Sequence, residues 1–130
     1  RIKGIEASLF AEVSSLLKIR TGYTYLDTED RKTGKQLPLR PQDKVTLAVD
    51  LSNKDISLVA DYTFIGERFD SSVKRTLSSY SVINLSSSFR LSKVVTLFAR
   101  GENLFDEKYE EIGSFGTQGF SFYGGMRVSL

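Results

Sequence analysis

Apolar and polar residues alternate with a period of two along most of this 130-residue chain. In the segment LFARGENLFDEKY, Leu97 and Ala99 fall on one side of the alternation, and Arg100 and Glu102 fall on the other. Successive side chains of an extended strand point to opposite faces, so this period predicts amphipathic β-strands. No helical periodicity competes with it.

Counting the matches to this period predicts seven strands, at residues 2–13, 16–27, 42–52, 55–66, 79–91, 94–104 and 119–130. Their connections alternate between short turns and long polar loops. The short turns are predicted at residues 14–15, 52–55 and 91–93, and the long loops at 28–41, 67–78 and 105–118. We therefore predict an all-β fold, an antiparallel up-and-down meander with every long loop at one end.

This layout is typical of a transmembrane β-barrel, whose spanning strands need about 9 to 11 residues and whose lumen is polar. In that arrangement Arg100 and Glu102 face the lumen, and Leu97 and Ala99 face lipid. The alternative is a soluble, lipocalin-like small-ligand-binding β-barrel, or a β-sandwich, with the apolar face inside. The strand lengths, the loop asymmetry and the aromatic residues near the long-loop ends favour the membrane barrel.

The composition excludes several kinds of chemistry. The chain contains no Cys and no His, which removes disulfides, Cys nucleophiles, Ser-His-Asp triads and the usual zinc ligand sets. A net charge of +2, scattered along the chain, does not indicate a nucleic-acid partner. We predict no catalytic residues, no metal site and no cofactor. The carboxylates at residues 106–111 are expected to be exposed loop charges, and Gly113, Gly116 and Gly119 are expected to give flexibility.

The end of the chain resembles a known family. Asn103-Leu-Phe-Asp106, Lys108-Tyr109-Glu110, a glycine-containing loop and the final strand FYGGMRVSL closely resemble the C-terminal end of TonB-dependent outer-membrane receptors. Four earlier segments are similar to successive late barrel strands of the family, particularly in cobalamin and siderophore receptors: residues 2–6, 22–27, 37–41 and 62–70.

The resemblance implies the place of the chain in a larger protein. The family's barrel has about 22 strands around an N-terminal plug. Residues 1–130 would then be a single barrel segment, the last seven strands, without the plug domain. The first residues, which already read as a running strand, also suggest a fragment or a processed chain.

The resemblance also implies a function without enzymatic activity. Such receptors lie in the outer membrane of Gram-negative bacteria and take up a siderophore–iron complex or cobalamin, energised by TonB through the plug. Several cations near one mouth would suit an anionic chelate. The predicted ligand contacts are Arg31, Arg40, Arg68, Arg75, Tyr109 and Phe115 in the loops, with Arg100 in the lumen. The alternative for the lumen charges is that they pair with one another or with the plug.

The last strand carries a second implied signal. Tyr123, Gly125, Val128 and Leu130 fit the polar-x-Gly-x-x-apolar-x-apolar pattern by which the barrel assembly machinery is thought to recognise such strands. The final residue departs from the commonest form of the pattern, which ends in Phe.

Membrane lipid is the remaining implied partner, because it would cover the apolar face. A chain of seven strands without lipid would expose that face to water. We expect such a chain to turn Leu47, Leu58, Leu85, Leu97 and Val128 inward, either by closing into a small barrel or by pairing with a second copy.

Overall fold

A computed structural model of the chain describes residues 1–129, which form strands, turns and irregular loops. The strands are β1 (Ile2–Glu12), β2 (Leu17–Thr28), β3 (Asp43–Ser52), β4 (Ile56–Ile65), β5 (Arg68–Asp70), β6 (Arg75–Leu77), β7 (Tyr80–Arg90), β8 (Val95–Glu102), β9 (Glu110–Ile112), β10 (Phe115–Gly116) and β11 (Ser121–Val128). No helix within the described residues is long and apolar enough to cross a membrane.

The seven long strands form one antiparallel sheet in the order β1-β2-β3-β4-β7-β8-β11. This confirms the predicted meander and its seven strands. The four short strands were not predicted. They form two hairpins, β5–β6 and β9–β10, inside stretches that the sequence indicated only as polar loops. Hairpins of two and three residue pairs are too short for a periodic pattern to reveal.

The strand register keeps the two faces of the sheet separate. Residues that pair directly lie on the same face of a sheet. One such row crosses all seven strands and is apolar or small throughout: Ala11, Ile19, Val49, Ala60, Leu85, Gly101 and Phe122. A row on the opposite face carries four charged residues among its seven: Glu12, Lys18, Asp50, Val59, Ser86, Arg100 and Tyr123. A slip of one residue at any ladder would mix these rows.

The three short turns close with the same device. The hydroxyl of Ser14 accepts the backbone N–H groups of residues 16 and 17 at 3.2 and 3.1 Å. The amide oxygen of Asn53 accepts those of residues 55 and 56 at 2.8 and 2.9 Å. The hydroxyl of Ser92 accepts those of residues 94 and 95 at 3.3 and 3.1 Å. Short polar side chains thus replace the strand ladder at each reversal.

The expectation that a single chain closes into a small barrel is wrong. Strands β1 and β11 stand at opposite edges of an open sheet. The five residues expected to turn inward remain 36–53% exposed on the apolar face: Leu47, Leu58, Leu85, Leu97 and Val128. The physical reason lies in the ladders of this sheet, which run in continuous register. Tight closure requires bulges or kinks that bend the strands. Pairing with a second copy stays a prediction.

Burial is concentrated at the long-loop end of the sheet. Among the described residues, Leu77 is the one fully buried hydrophobic side chain. The buried polar residues are Thr28, Arg68, Asp70 and Asn103, which all lie in or beside the long loops. The sheet therefore has no apolar core of its own, and its best-packed region is a polar one.

Candidate functional site

The three long connections of the sheet meet at one end. The β2–β3 loop contacts the β5–β6 hairpin, where the backbone N–H of Leu39 donates to the carbonyl of Phe69 at 2.8 Å. Strand β6 in turn packs against β9. The two hairpins therefore lie side by side above the sheet, and the contacts between them define the candidate site.

Asp70 connects the two hairpins through its carboxylate. One oxygen, Oδ2, accepts the backbone N–H of Gly113 at 2.8 Å, across 43 residues of sequence. The other, Oδ1, accepts the backbone N–H of Ser72 at 2.8 Å and its hydroxyl at 2.6 Å. The Ser72 hydroxyl and then the Gly113 N–H lower the pKa of Asp70 below its ordinary value of 3.8. A carboxylate that is 2% exposed is thus kept ionised by donors from both hairpins.

Arg68 makes a second connection between the same loops. Its guanidinium donates from Nη2 to the carbonyl oxygen of Glu110 and lies 5.2 Å from the centre of the Tyr80 ring. Tyr80 stacks on Tyr109, with ring centres 4.0 Å apart and planes 21° apart. Arg68 thus makes a cation–π contact with Tyr80, and Tyr80 makes a stacking contact with Tyr109; both kinds of contact are favourable. We call the connections made by Arg68, Asp70, Tyr80, Tyr109 and Gly113 the loop interlock.

Asn103 fixes the start of the β8–β11 loop. It has a positive φ of 48° and is 4% exposed. Its side-chain amide donates to the carbonyls of Glu107 at 3.0 Å and Gln118 at 3.3 Å, and its oxygen accepts the N–H of Glu107 at 2.9 Å. Its own N–H donates to the Asn84 side chain at 2.9 Å. One residue thereby links both sides of the loop to the sheet.

Asp106 organises the middle of the same loop. Its Oδ1 accepts the N–H of Phe120 at 2.9 Å, and both oxygens lie 2.8 Å from the Lys108 ammonium. The Lys108 ammonium and then the Phe120 N–H lower the pKa of the Asp106 carboxyl. Two of the carboxylates expected to be plain exposed charges are therefore engaged, Asp106 within its own loop and Glu110 in an ion pair with Arg75. Glu107 and Glu111 are exposed, as expected.

A cleft of about 420 Å³ opens between the two loops. It is lined by Arg75, Leu77, Ser78, Ser79, Lys108, Tyr109, Glu110, Gly116 and Thr117. Two cations, one carboxylate, three hydroxyls and an aromatic ring therefore border a space of the size that small ligands occupy. Residues 75–79 come from one loop and residues 108–117 from the other. The shape of the cleft depends on how the two loops are held together.

The predicted ligand contacts fall into four groups. Arg75 and Tyr109 line the cleft. Arg31, Arg40 and Phe115 are exposed in the loops, with Phe115 at 69%. Arg68 is 4% exposed and belongs to the loop interlock. Arg100 lies apart from these residues on the polar face of β8, where it pairs with Glu102 at 2.5 Å.

Pairing between charges on the polar face was one of the two alternatives for the lumen residues. Arg100 and Glu102 form such an ion pair within strand β8. Lys18 and Glu12 show it across β1 and β2, with 3.1 Å between ammonium and carboxylate. These pairs are largely exposed, so each contributes little to the stability of the sheet.

The expectation that Gly113 gives flexibility is wrong. Gly113 is buried, and a Cβ placed there would lie 2.2 Å from Cγ2 of Val73. Gly119 is similarly confined, because its Cβ would lie 2.3 Å from the Asp106 carboxylate. These glycines allow close approach of the loops. Sequence reasoning missed Asp70, Tyr80 and Gly113 as site residues, since their partners lie too far along the chain for any local pattern to show.

Comparison with known proteins gives the family. A family model described as TonB dependent receptor-like, beta-barrel, matches residues 1–104. That is most of the chain. The chain belongs to the TonB-dependent receptor β-barrel family. The recognition made from the sequence is thus confirmed.

Named relatives are cobalamin and siderophore receptors. The chain is 27% identical over 116 residues to a vitamin B12 transporter of Vibrio vulnificus, covering 89% of this chain and 19% of that protein. It is 29% identical over 126 residues to the ferric enterobactin receptor of Pseudomonas aeruginosa, covering 87% and 17%. This chain therefore spans less than a fifth of the length of these two relatives.

Solved structures agree with this assignment. A mutant ferric enterobactin receptor of Pseudomonas aeruginosa superimposes with a TM-score of 0.81 at 25% identity, over 99% of this chain and 22% of that one. A siderophore receptor of Acinetobacter baumannii gives a TM-score of 0.82 over 98% of this chain and 21% of that one. Its identity of 21% supports the fold alone. The open sheet of the receptor chain thus has the curvature of a barrel wall.

The predicted assembly signal is located in part. Tyr123, Gly125 and Val128 lie on the edge strand β11, which pairs with β8. Leu130 lies outside the described residues. Tyr123 belongs to the polar face and Val128 to the apolar face. The assembly signal itself stays a prediction.

We expect Asn103→Ala to destabilise the β8–β11 loop by about 1 to 3 kcal/mol, because it removes three hydrogen bonds from a buried site. Asn103→Gly should cost about 1 kcal/mol less than Ala, since glycine tolerates the positive φ. Amide hydrogen exchange across residues 103–120 measures the effect. Glu107→Ala is the matched control, because Asn103 contacts only the backbone of Glu107. Equal effects of Ala and Gly would contradict the conformational part of this account.

We expect the loops to lose stability in acid. The native pKa values of Asp70 and Asp106 lie below the ordinary value of 3.8. Their contribution to the stability of the loops is therefore complete at pH values well above 3.8. It decreases as the pH falls through 3.8 toward the lowered native values. Limited proteolysis of the loops between pH 6 and pH 2 measures this. Asp70→Asn should remove part of the pH dependence, and an unchanged profile in that variant would exclude Asp70 as a contributor.

Proposed function

We propose that this chain forms part of the barrel wall of an outer-membrane receptor that takes up an iron–siderophore complex or cobalamin. The observation that carries the proposal is the continuous seven-stranded sheet, with one apolar and one polar face, that superimposes on a ferric enterobactin receptor. An apolar face of this extent matches the outer band of a membrane barrel. The polar face then lines the lumen, and the loop interlock lies at the mouth.

We further propose that the chain corresponds to the last seven strands of a barrel of about 22 strands. Strands β1 and β11 would pair with the remaining strands of the wall, which would satisfy both free edges. The plug and the TonB contact would lie elsewhere in the complete receptor. The proposed function involves capture and passage of a ligand without covalent chemistry.

A soluble small-ligand-binding barrel fits the structure less well. Such a barrel needs a closed sheet with the apolar face inside. Here the sheet is open, and Leu97 on the apolar face is 40% exposed.

At the mouth, we propose that the ligand contacts are the cleft residues Arg75 and Tyr109, with the exposed Arg31, Arg40 and Phe115 around them. Arginines supply charge-assisted hydrogen bonds to an anionic chelate, and aromatic rings supply apolar contact. Arg68 acts on the ligand indirectly, through Tyr80 and Glu110. Arg100 contributes from the lumen, below the mouth.

The function is tested by ligand binding to the complete receptor, purified in detergent. Ferric enterobactin and vitamin B12 are titrated in parallel and followed by quenching of intrinsic fluorescence. We expect saturable binding of one of them, weakened about 10- to 150-fold by Arg75→Gln, which removes a charged hydrogen bond worth about 1.5 to 3 kcal/mol. Lys93→Gln is the matched control, because this cation lies in a short turn at the opposite end of the sheet. Binding of neither ligand, or equal effects of both variants, would contradict the proposal.

The membrane orientation gives a separate prediction. We expect Leu97→Arg to impair folding into lipid vesicles, because an arginine at mid-bilayer on the outside of a barrel costs about 2 to 4 kcal/mol. Arg100→Leu, on the lumen face three residues away, should be better tolerated. Heat-modifiable gel mobility of the complete receptor measures the folded fraction. Comparable folding of both variants would reverse or remove the orientation proposed here.

The assembly signal is also open to test. We expect Leu130→Asp to reduce surface levels of the complete receptor in cells far more than Ser129→Asp. The proposed recognition requires an apolar residue at the last position and not at the one before it. Surface levels are measured by labelling intact cells. Equal levels of the two variants would count against recognition of Leu130.

A further inference from the structure

We propose that Asp70 is a positioning residue, whose bond to the Gly113 N–H holds the β5–β6 and β9–β10 hairpins, one on each side of the cleft, at a fixed relative position. Its consequence for ligand capture rests on the function proposed above. The lock itself concerns only contacts within this chain.

The two oxygens of Asp70 have different tasks. Oδ1 accepts both bonds from Ser72, which belongs to the same hairpin as Asp70. Oδ2 accepts the bond from Gly113, which belongs to the other hairpin. Hydrogen bonds to an ionised acceptor are the stronger kind, and a buried carboxylate that loses a donor is left at a high cost. Separation of the hairpins is therefore opposed by the burial of Asp70.

Close packing around Gly113 supports this hydrogen bond. An ideal Cβ on Gly113 would lie 2.2 and 2.9 Å from the two methyl carbons of Val73 and 3.1 Å from Oδ2 of Asp70. The backbone of one hairpin thus fits closely against a side chain of the other. Such a contact leaves little room for the hairpins to slide.

The cleft depends on this arrangement because its two sides belong to different loops. Arg75 and Ser79 line it from one side, and Tyr109 and Thr117 from the other. Asp70, Val73 and Gly113 do not line it, so they can shape it without contacting a ligand. If the hairpins moved independently, a ligand would have to order them on binding, which reduces affinity. Fixing their relative position avoids that cost.

The variant that isolates the lock is Asp70→Asn in the complete receptor. An asparagine retains the shape of the side chain and can still accept from Ser72 through one oxygen. It then presents an NH2 group to the Gly113 N–H, and in the flipped orientation it presents that group to Ser72 instead. In either orientation the NH2 group of the asparagine faces another donor, so hydrogen bonding that Asp70 provides is lost. The matched control is Asp106→Asn, because the bonds of Asp106 stay within the β8–β11 loop.

The first readout needs no ligand. Spin labels are attached through Ser71→Cys and Glu111→Cys, two exposed positions in different hairpins, and their separation is measured by double electron–electron resonance. We expect a narrow distance distribution in the parent and in Asp106→Asn, and a broad one in Asp70→Asn. Asp70→Ala, which removes all three bonds, should be at least as broad. A narrow distribution in both Asp70 variants would overturn the proposal.

The second readout replaces the lock with a covalent bond. An ideal Cβ at Gly113 would lie 2.9 Å from Cγ1 of Val73, the position that a cysteine sulfur could take. In a disulfide, the Cβ of one cysteine lies about 3 Å from the sulfur of the other. Val73→Cys with Gly113→Cys should therefore form a disulfide without moving the hairpins. Residues 1–130 contain no other cysteine.

Dissociation of whichever probe the parent binds, ferric enterobactin or vitamin B12, is then followed by stopped flow. We expect Asp70→Asn to dissociate about tenfold faster, since changes at a binding site act mainly on dissociation. The oxidised cysteine pair should restore the parent rate in the Asp70→Asn background, and dithiothreitol should abolish the rescue. A loss of binding due only to misfolding would not respond in this way.

Failure to rescue would overturn the positioning role of Asp70 in ligand capture. If the parent receptor binds neither probe, the proposed function fails. The distances between the spin labels still test, without any ligand, whether Asp70 holds the two hairpins together. The two failures are thereby distinguished.

Discussion

The structure depends on the strict alternation of side chains across a hydrogen-bonded sheet. Six continuous ladders hold seven strands in register, so most apolar residues of the alternation reach one face and most charges reach the other. A single sheet cannot bury its own apolar face. Within the described residues nothing covers this face, and one hydrophobic side chain, Leu77, is fully buried. The sheet therefore has two chemically different faces, and within the described residues it has no core of its own.

The long-loop end is stabilised in a different way from the wall. Apart from Leu77, the buried side chains there are polar, and three of them have partners in another part of the chain: Asp70 with Gly113, Arg68 with Glu110, and Asn103 with residues 84, 107 and 118. Buried polar groups have a well-defined geometry because unpaired alternatives are costly. A surface that must present fixed contacts to a small ligand gains from this kind of packing.

The two ends of the sheet therefore have different roles. Each short turn is closed by a single Ser or Asn side chain that accepts two backbone N–H groups, and its contacts are local. The long loops contact one another across the sheet and form a cleft between them. In a barrel wall this asymmetry leaves one rim compact and builds the other as a structured mouth. Receptor function in the family is consistent with such a division.

The sequence by itself determined the seven strands, their order, the residues on each face and the family, because these follow from local periodicity and from short motifs. It did not determine the hairpins β5–β6 and β9–β10, the burial of Asp70 or the close packing of Gly113. The pairings within the hairpins are too short for a periodic pattern to reveal, and the burial of Asp70 and Gly113 depends on contacts that are distant in sequence, such as the 43-residue separation of these two residues. The open shape was also decided by tertiary structure. A period of two fixes which residues share a face, but the continuous ladders, free of the bends that tight closure needs, decide how strongly the sheet curves.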